Sequence, residues 1–390
     1  MARLAGSAKL LRAMNESAAL GHLLDSGALT RNDLRELTGL SKPTTSEVLR
    51  RLTEAGLAIV TGHTTGGPGP NAEIYAANPE AAYAVAVSVR DRDTTGTGQP
   101  ALAVAISDLT GTTRARAELA VDFDDTDVAT AVRDAIIGQC AEAGVPTDRL
   151  RRVHLGVPGA YNPRTDTIHH VDVPGLDRPG LVGELRRTLG TRVGVDNDVN
   201  LAAVAERRHG VAGAADSFAL LWFGVGIGLA IDLGGTLLRG ASGGAGEIGF
   251  MPLGLSPSPA QPPHLHGTVG GQAVLALAKE YGIEAATPGE AVIQASPAML
   301  AELAERIAVA LAVVVAVLDP ALVVLAGEVG QAGGTALRDA VCTATRFAGP
   351  LDTEIAITGL ADDAVLLGAL DAALAEVREE LIRNLHIPTR

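Results

Sequence analysis

Residues 37–57 read LTGLSKPTTSEVLRRLTEAGL, and this stretch sets the reading of everything around it. Leu37, Leu40, Val48 and Leu52 are spaced as the core of two short helices joined by a tight turn, a helix-turn-helix. Gly39 makes the turn. Ser41 is placed to cap the second helix, and Pro43 is tolerated in the first turn, where its missing amide would have no partner. Upstream, Thr30 stands three residues before Asp33, a capping-box start for the first helix of the pair. Leu34 and Leu37 are its expected inner face. Residues 9–24 read as an earlier helix, apolar at Leu10, Leu11, Met14, Ala18 and along 20–24, and ended by Gly27. Downstream, the runs 57–61 and 73–76 flank a Gly/Pro-rich tip at 66–70 and read as a two-stranded wing. Asn78-Pro79 closes the unit, so a winged helix-turn-helix is expected over residues 1–78.

A helix-turn-helix sets the N-terminal end of its second helix against base edges in the major groove. That end offers Ser41, Lys42, Thr44, Thr45 and Ser46, with Arg50 further along. These six are the expected contacts to double-stranded operator DNA. Hydroxyls and a lysine suit phosphates and base edges, and the helix N-terminus itself favours phosphate. The charge supporting this is modest: residues 1–78 hold eight Lys/Arg against seven Asp/Glu. The wing tip has no Lys or Arg, and nearby His63 suits a solvated loop at least as well as a minor groove. A symmetric dimer would compensate by doubling the contacts.

The remainder is different in character. Of the net charge of −14, nearly all lies beyond residue 78, where 23 Lys/Arg face 38 Asp/Glu. Such a surface repels phosphate and excludes general nucleic-acid binding by the body. With 390 residues, two or three domains are expected. The chain is 47% hydrophobic but only 3% aromatic, so its cores must be aliphatic. Cys140 and Cys342 lie too far apart in sequence for a disulfide framework or a metal cluster. The longest apolar run, 307–318, is too short to span a bilayer and reads as a buried helix. The opening residues do not read as a signal peptide, so a cytoplasmic protein with no membrane partner is expected.

Strand-like runs occupy 82–89 and 101–109, the second ending in an Asp-Leu-Thr-Gly hairpin turn. Further strands are expected at 152–157, 191–195, 217–223, 228–231 and 321–325. Helices are expected at 127–143, from Val199, and at 270–281, 297–318, 333–345 and 362–386. Residues 252–263 read as an irregular loop. This mixture says α/β.

Three segments of the body carry chemistry. In VGVDNDVNLAAVAE (193–206) a strand delivers Asn197 and Asp198 to the start of a helix, the place where α/β folds put ligand-binding groups. An Asp there can take a proton from a hydroxyl, and an Asn can orient one. In FGVGIGLAIDLGG (223–235) Gly224, Gly226 and Gly228 alternate, serving either a phosphate or a tight hairpin. In GASGGAGEIGF (240–250) Glu247 sits in a glycine-rich loop, suited to accept sugar-like hydroxyls.

The order of these segments behind a helix-turn-helix resembles the ROK family of repressors, open reading frames and sugar kinases. The similarity covers nearly the whole chain, including LGVPG at 155–159 and the terminal LLGALDAAL. The resemblance implies an α/β fold: a winged helix-turn-helix followed by an actin-like (ribonuclease H-like), two-lobed body of sugar-kinase type. It implies a smaller lobe over 79–198, completed by a helix at 375–390, and a larger lobe with an oligomerisation surface over 199–374. It implies a homodimer or tetramer and a carbohydrate-type effector. It puts Asp198 at the position of the kinases' catalytic base, and Asn197 and Glu247 at sugar-hydroxyl contacts.

The departures shape the expected function. The kinases carry Asp-x-Gly-x-Thr after the first strand of the body. This chain has SVRDRDTTGTGQP at 88–100, with no glycine properly placed after Asp91 or Asp93. The family's zinc cysteines fall on Pro257, Pro259 and His264, its preceding histidine on Phe250 and its final glutamate on His266. Prolines cannot replace thiolates as ligands. No metal, no cofactor and no catalysis are therefore expected. The ligand pocket is expected to persist in altered form around Asn197, Asp198, Glu247 and His266, in a DNA-binding repressor; the alternatives are a regulator whose body serves only oligomerisation or a protein partner, and an active ATP-dependent sugar kinase.

Overall fold

The computed structural model describes residues 2–64, 71–90, 100–169, 173–254, 263–345, 353–360 and 363–386. The first unit comprises α1 (Ala2–Ser26), β1 (Leu29–Thr30), α2 (Arg31–Thr38), α3 (Lys42–Glu54), β2 (Ala58–His63) and β3 (Glu73–Ala77). The capping box forms as its sequence requires. The Thr30 hydroxyl accepts from the Asp33 amide at 3.2 Å, and the Asp33 carboxylate accepts from the Thr30 amide at 2.8 Å. Gly39 takes the left-handed turn at φ 68°, which L side chains disfavour. The strands order β1-β3-β2, so the wing is a hairpin joined by a short third strand. Its tip lies outside the described residues.

The core of this unit corrects the expected spacing. Ala19, Leu20, Leu23, Leu34, Val48, Leu49 and Leu52 form it. Leu37 does not: it is 49% exposed, and Leu34 is the one buried residue of α2. Leu10, Leu11 and Met14 of α1 are also exposed.

The body repeats one sheet plan twice. Its first half comprises β4 (Tyr83–Arg90), β5 (Ala101–Asp108), β6 (Thr113–Ala120), α4 (Val128–Ala143), β7 (Leu150–Val157), β8 (Ala160–Asn162), β9 (Thr167–His169), α5 (Leu181–Leu189), β10 (Arg192–Asn197) and α6 (Asp198–His209). The second comprises β11 (Ser217–Phe223), β12 (Ile227–Leu233), β13 (Thr236–Leu237), α7 (His266–Val269), α8 (Gly271–Glu280), α9 (Pro288–Ile293), α10 (Pro297–Leu318), β14 (Leu322–Ala326), α11 (Gly327–Thr345), β15 (Glu354–Ile357) and α12 (Ala364–His386). The sheets order β10-β7-β4-β5-β6 and β13-β12-β11-β14-β15. Each is an antiparallel meander of three strands, extended on the far side of its first strand by two parallel ones.

In the first sheet, every residue of β5 is buried, because helices cover both faces. Val132 and Ile136 of α4 and Leu185 of α5 pack on one face. Leu201 of α6 and Leu366, Ala369 and Leu370 of α12 pack on the other. The opposite side of α6, with Ala202, Ala203 and Ala205, packs on Phe218, Leu220 and Val324 of the second sheet. The helix thus lies between the sheets, and its small residues let both approach closely. The far face of the second sheet is covered by α8, α9, α10 and α11.

The expected buried helix at 307–318 is the second half of α10 and is buried on one face only. Ile307, Leu311, Val314 and Val315 are inside, while Val309, Val313 and Val317 are exposed. Among the described residues no helix is long and apolar enough to cross a membrane.

The last helix joins the two parts of the chain. After its contacts with the first sheet, α12 packs Ala373, Leu374 and Val377 against Ala82, Ala84 and Leu109. One turn further, Leu381, Ile382 and Leu385 pack against the core of the winged unit. Arg378 lies at the junction and donates to the Leu109 carbonyl from Nε and Nη2 at 3.2 and 3.1 Å.

Candidate functional site

The parallel strands of both sheets point their carboxyl ends into one cleft of about 1020 Å³. Asn197, Asp198, Glu247 and His266 all line it, although they come from three separate segments. A cleft of this size at strand ends is where α/β folds bind small molecules.

Asn197 is the N-cap of α6. Its Oδ1 accepts from the amides of Val199 at 2.9 Å and Asn200 at 3.3 Å, and its Nδ2 donates to the Gly159 carbonyl at 3.3 Å. The side chain therefore locks the helix start to the turn after β7. Asp198 follows, its Oδ1 accepting from the Val199 amide at 2.8 Å. Burial pushes its carboxyl up to about 6, against the pull of that amide and with the negative charge of Glu247 adding to the rise.

Glu247 is held by backbone geometry. The preceding Gly246 has φ 94°, and a Cβ there would collide with the Leu229 carbonyl. Glycine allows the loop to lie on β12, where the Leu229 amide donates to the Gly246 carbonyl at 3.1 Å. His266 opens α7, and burial together with nearby His264 lowers its pKa. The alternating glycines at 224–228 form the tight hairpin between β11 and β12 and also line the cleft.

Several cleft residues were not anticipated: Ser88, Asp124, Trp222, Gln272 and Glu328. Trp222 had a readable signal, as the chain's one tryptophan at a strand end. Glu328 had none, since it reaches the site only through the β14–α11 turn, where it accepts from the Gly289 amide at 2.9 Å. Phe250 lines the cleft although 62% exposed. Arg90 lies at the edge and is committed elsewhere, donating to Glu118 at 2.9 Å and Asp363 at 3.1 Å. Asp91, Asp93, Pro257 and Pro259 fall outside the described residues. No group of three or more potential metal ligands occurs among the described residues.

The second candidate surface is the exposed start of α3. Ser41 caps it, its Oγ 2.8 Å from the Thr44 hydroxyl. Ser46 is half-buried and donates to the Lys42 carbonyl at 3.0 Å. Thr45 is a correction. It is fully buried and its hydroxyl donates to the Ser41 carbonyl at 3.1 Å, so it is a core residue that cannot reach DNA. Arg50 is exposed but paired with Glu47 at 2.7 Å and Glu54 at 2.5 Å. Arg51 pairs with Glu47 at 2.7 Å. Hydrogen bonds from Arg50 and Arg51 hold the Glu47 carboxyl down at about 2. Among the described cations of α3, Lys42 alone has no carboxylate within ion-pair distance.

Comparison with known proteins adds to this geometry. The model of the ROK family matches residues 96–376, and that of the MarR family matches residues 11–67. The xylose repressor of Caldicellulosiruptor bescii is 20% identical over 398 residues, covering 95% of this chain and 98% of that protein. The bifunctional enzyme NanE/NanK of Brucella suis is 33% identical over 195 residues, 47% of this chain. That match spans about a third of the enzyme, 35% of its length. Among solved structures, a ROK family transcriptional regulator described as a homolog of the E. coli MLC protein superposes with a TM-score of 0.74. It is 18% identical, and the match covers 96% of this chain and 99% of that one.

Proposed function

The chain belongs to the ROK family, and on that premise we propose that it is a sugar-responsive transcriptional repressor that works in the cytoplasm as a symmetric dimer or tetramer. One observation carries the proposal: α12, which packs against the sheet and helix that form the cleft, packs its last turns against the core of the winged unit. A ligand that favours one arrangement of the two sheets therefore acts on the helix that supports the DNA-reading unit. In a symmetric oligomer this changes the spacing of two α3 helices, and operator affinity follows by linkage. The whole-length similarity to a xylose repressor supports the same reading.

The cleft suits a neutral, hydroxyl-rich ligand. Asp124, Asp198, Glu247 and Glu328 line it, and Arg90 spends its charge on Glu118 and Asp363. Carboxylates accept sugar hydroxyls well but repel a nucleotide triphosphate. Asp198, Glu247 and His266 are assigned to the ligand, with Asn197 positioning Asp198. Phosphoryl transfer forms no part of the proposal.

The test is operator binding by the full chain, measured by fluorescence anisotropy with and without a panel of pentoses and hexoses, beside an ATP–Mg²⁺ turnover assay. Release of DNA by one sugar without ATP consumption is expected. Sugar-dependent ATP turnover would overturn the assignment.

The α3 surface makes its own prediction. Lys42→Ala is expected to lower the slope of log affinity against log salt by about 1 per recognition helix, as loss of one phosphate contact does. Arg50→Ala is expected to change that slope less, because Glu47 and Glu54 already neutralise its guanidinium. Equal slopes for Lys42→Ala and the parent protein would remove Lys42 from the interface.

A further inference from the structure

Behind the cleft lies a second cavity of about 720 Å³, with the opposite charge character. Arg152, Arg186, Arg192 and Arg239 line it against only Asp196 and Glu376. It shares Asn197 and Gly243 with the cleft as a common wall. Neither the sugar-binding groups nor the DNA-binding surface uses it.

The three arginines at the mouth, Arg186, Arg192 and Arg239, are exposed, while the floor is buried. At the floor, the Arg152 Nε, the His154 Nδ1 and the Asn200 Oδ1 have no hydrogen-bond partner. The side chain of His154 is only 4% exposed, and its other nitrogen lies 3.1 Å from Asp196. Three of the five such buried polar atoms among the described residues thus gather in one cavity. An unmet buried donor or acceptor costs about 1–3 kcal/mol, so this concentration marks a place built for something polar. The charges agree. Burial, reinforced by repulsion from Arg192 and Arg186, lowers the pKa of Arg152; Arg239 pairs with Asp196 and Arg186 donates twice to the Val193 carbonyl, so four guanidiniums share three carboxylates, Asp196, Glu376 and Glu380.

We propose that this cavity, framed by Arg152, Arg186, Arg192 and Arg239, binds a phosphoryl group. A phosphoryl oxyanion offers several acceptors to forked guanidinium donors, and its P–O–H or a neighbouring hydroxyl can answer the acceptor at Asn200. The ligand also competes for partners on α12. Glu376 pairs with Arg152, and Glu380 pairs with Arg192 at 3.2 Å. Both carboxylates lie within about two and a half turns of Leu381 and Leu385. Anion binding draws these arginines off α12 close to where it meets the winged unit.

The experiment is a thermal-shift and calorimetric titration of the full chain at constant ionic strength. Inorganic phosphate and a hexose 6-phosphate are the probes, with potassium chloride as the control. Saturable binding of at least one phosphorylated probe is expected. Binding of both assigns the site to the phosphoryl group alone, and binding of the hexose phosphate only assigns it to phosphate esters. Arg192→Gln is the decisive variant. Arg192 is 63% exposed, so the fold should tolerate the change, and circular dichroism checks that it does. A tenfold or greater loss of phosphate affinity is expected, with the response to unphosphorylated sugar retained. Arg186→Gln, also at the exposed mouth, should behave alike. No saturable effect beyond chloride, or full affinity in both variants, would overturn the proposal.

Discussion

A Gly368→Ala protein is expected to lose about 3 kcal/mol of stability, and its operator binding and sugar response are expected to fail together. In an ordinary helix the same change would stabilise by about 0.4–1 kcal/mol, because glycine is the more flexible residue when unfolded. The sign reverses here because Gly368 lies where α12 presses on α6. A Cβ at that position falls inside the carbonyl group of Leu201. Backbone cannot rotate away as a side chain can, so the two helices must separate. That movement disturbs two sites at once. α6 begins at Asn197 and Asp198 in the cleft, and the last turns of α12 pack against the winged core. Thermal melts followed by circular dichroism, with anisotropy on operator DNA, check both. An unchanged melt would show that α6 and α12 are not in this contact.

Asp198→Asn should do the reverse to stability and weaken ligand binding. In the folded protein the Asp198 carboxyl titrates at about 6, above its ordinary 3.8. Between those values the folded state keeps a proton that the unfolded chain has released. Stability therefore falls as pH rises through this window, and above 6 the full penalty is present. A shift of this size corresponds to about 2–3 kcal/mol. Asparagine keeps an oxygen for the Val199 amide and carries no charge, so the variant should melt higher than the parent at pH 7.5. At pH 4 the difference should largely vanish. Sugar affinity at pH 7.5 should fall by about 10–100-fold, as expected when a charged hydrogen-bond acceptor is replaced by a neutral one. Melting curves at the two pH values and calorimetry with the responsive sugar provide the measurements. Equal melting of variant and parent at pH 7.5 would show that Asp198 carries no such penalty.

Local chemistry was legible in the sequence where it is self-contained. The caps at Thr30 and Ser41, the turn at Gly39 and the bounds of α10 follow from residues within one or two turns of one another. The missed elements depend on partners distant in sequence. β6 reads TRARAELA, an alternation that looks polar until β5 pairs with its edge and α4 covers one face. β8, β9, α5, α9 and β15 are short, and their signals do not rise above their loops. In the DNA-reading unit, Thr45 was misplaced because a threonine near a helix start looks like a surface residue. Its hydroxyl is satisfied by the turn behind it, so burial costs little. In the cleft, Asn197, Asp198 and Glu247 each lie in a segment with its own pattern, whereas His266 entered only through the family resemblance; all four line the cleft. Glu328 and the basic cavity were not legible, because the first arrives through the β14–α11 turn and the second forms only when β7, β10, α5 and α12 have packed.

The way α12 closes the winged core also has a consequence in time. On the ribosome the three helices of the winged unit emerge first, yet Leu381, Ile382 and Leu385, which cover one side of them, follow both sheets. Contacts between segments so far apart form late and slowly. Until then the nascent unit has an open apolar flank, the kind of surface that chaperones hold and proteases find. A chain whose body misfolds never acquires its cover. The DNA-reading unit thus gains its full cover only after the sensing part has been made.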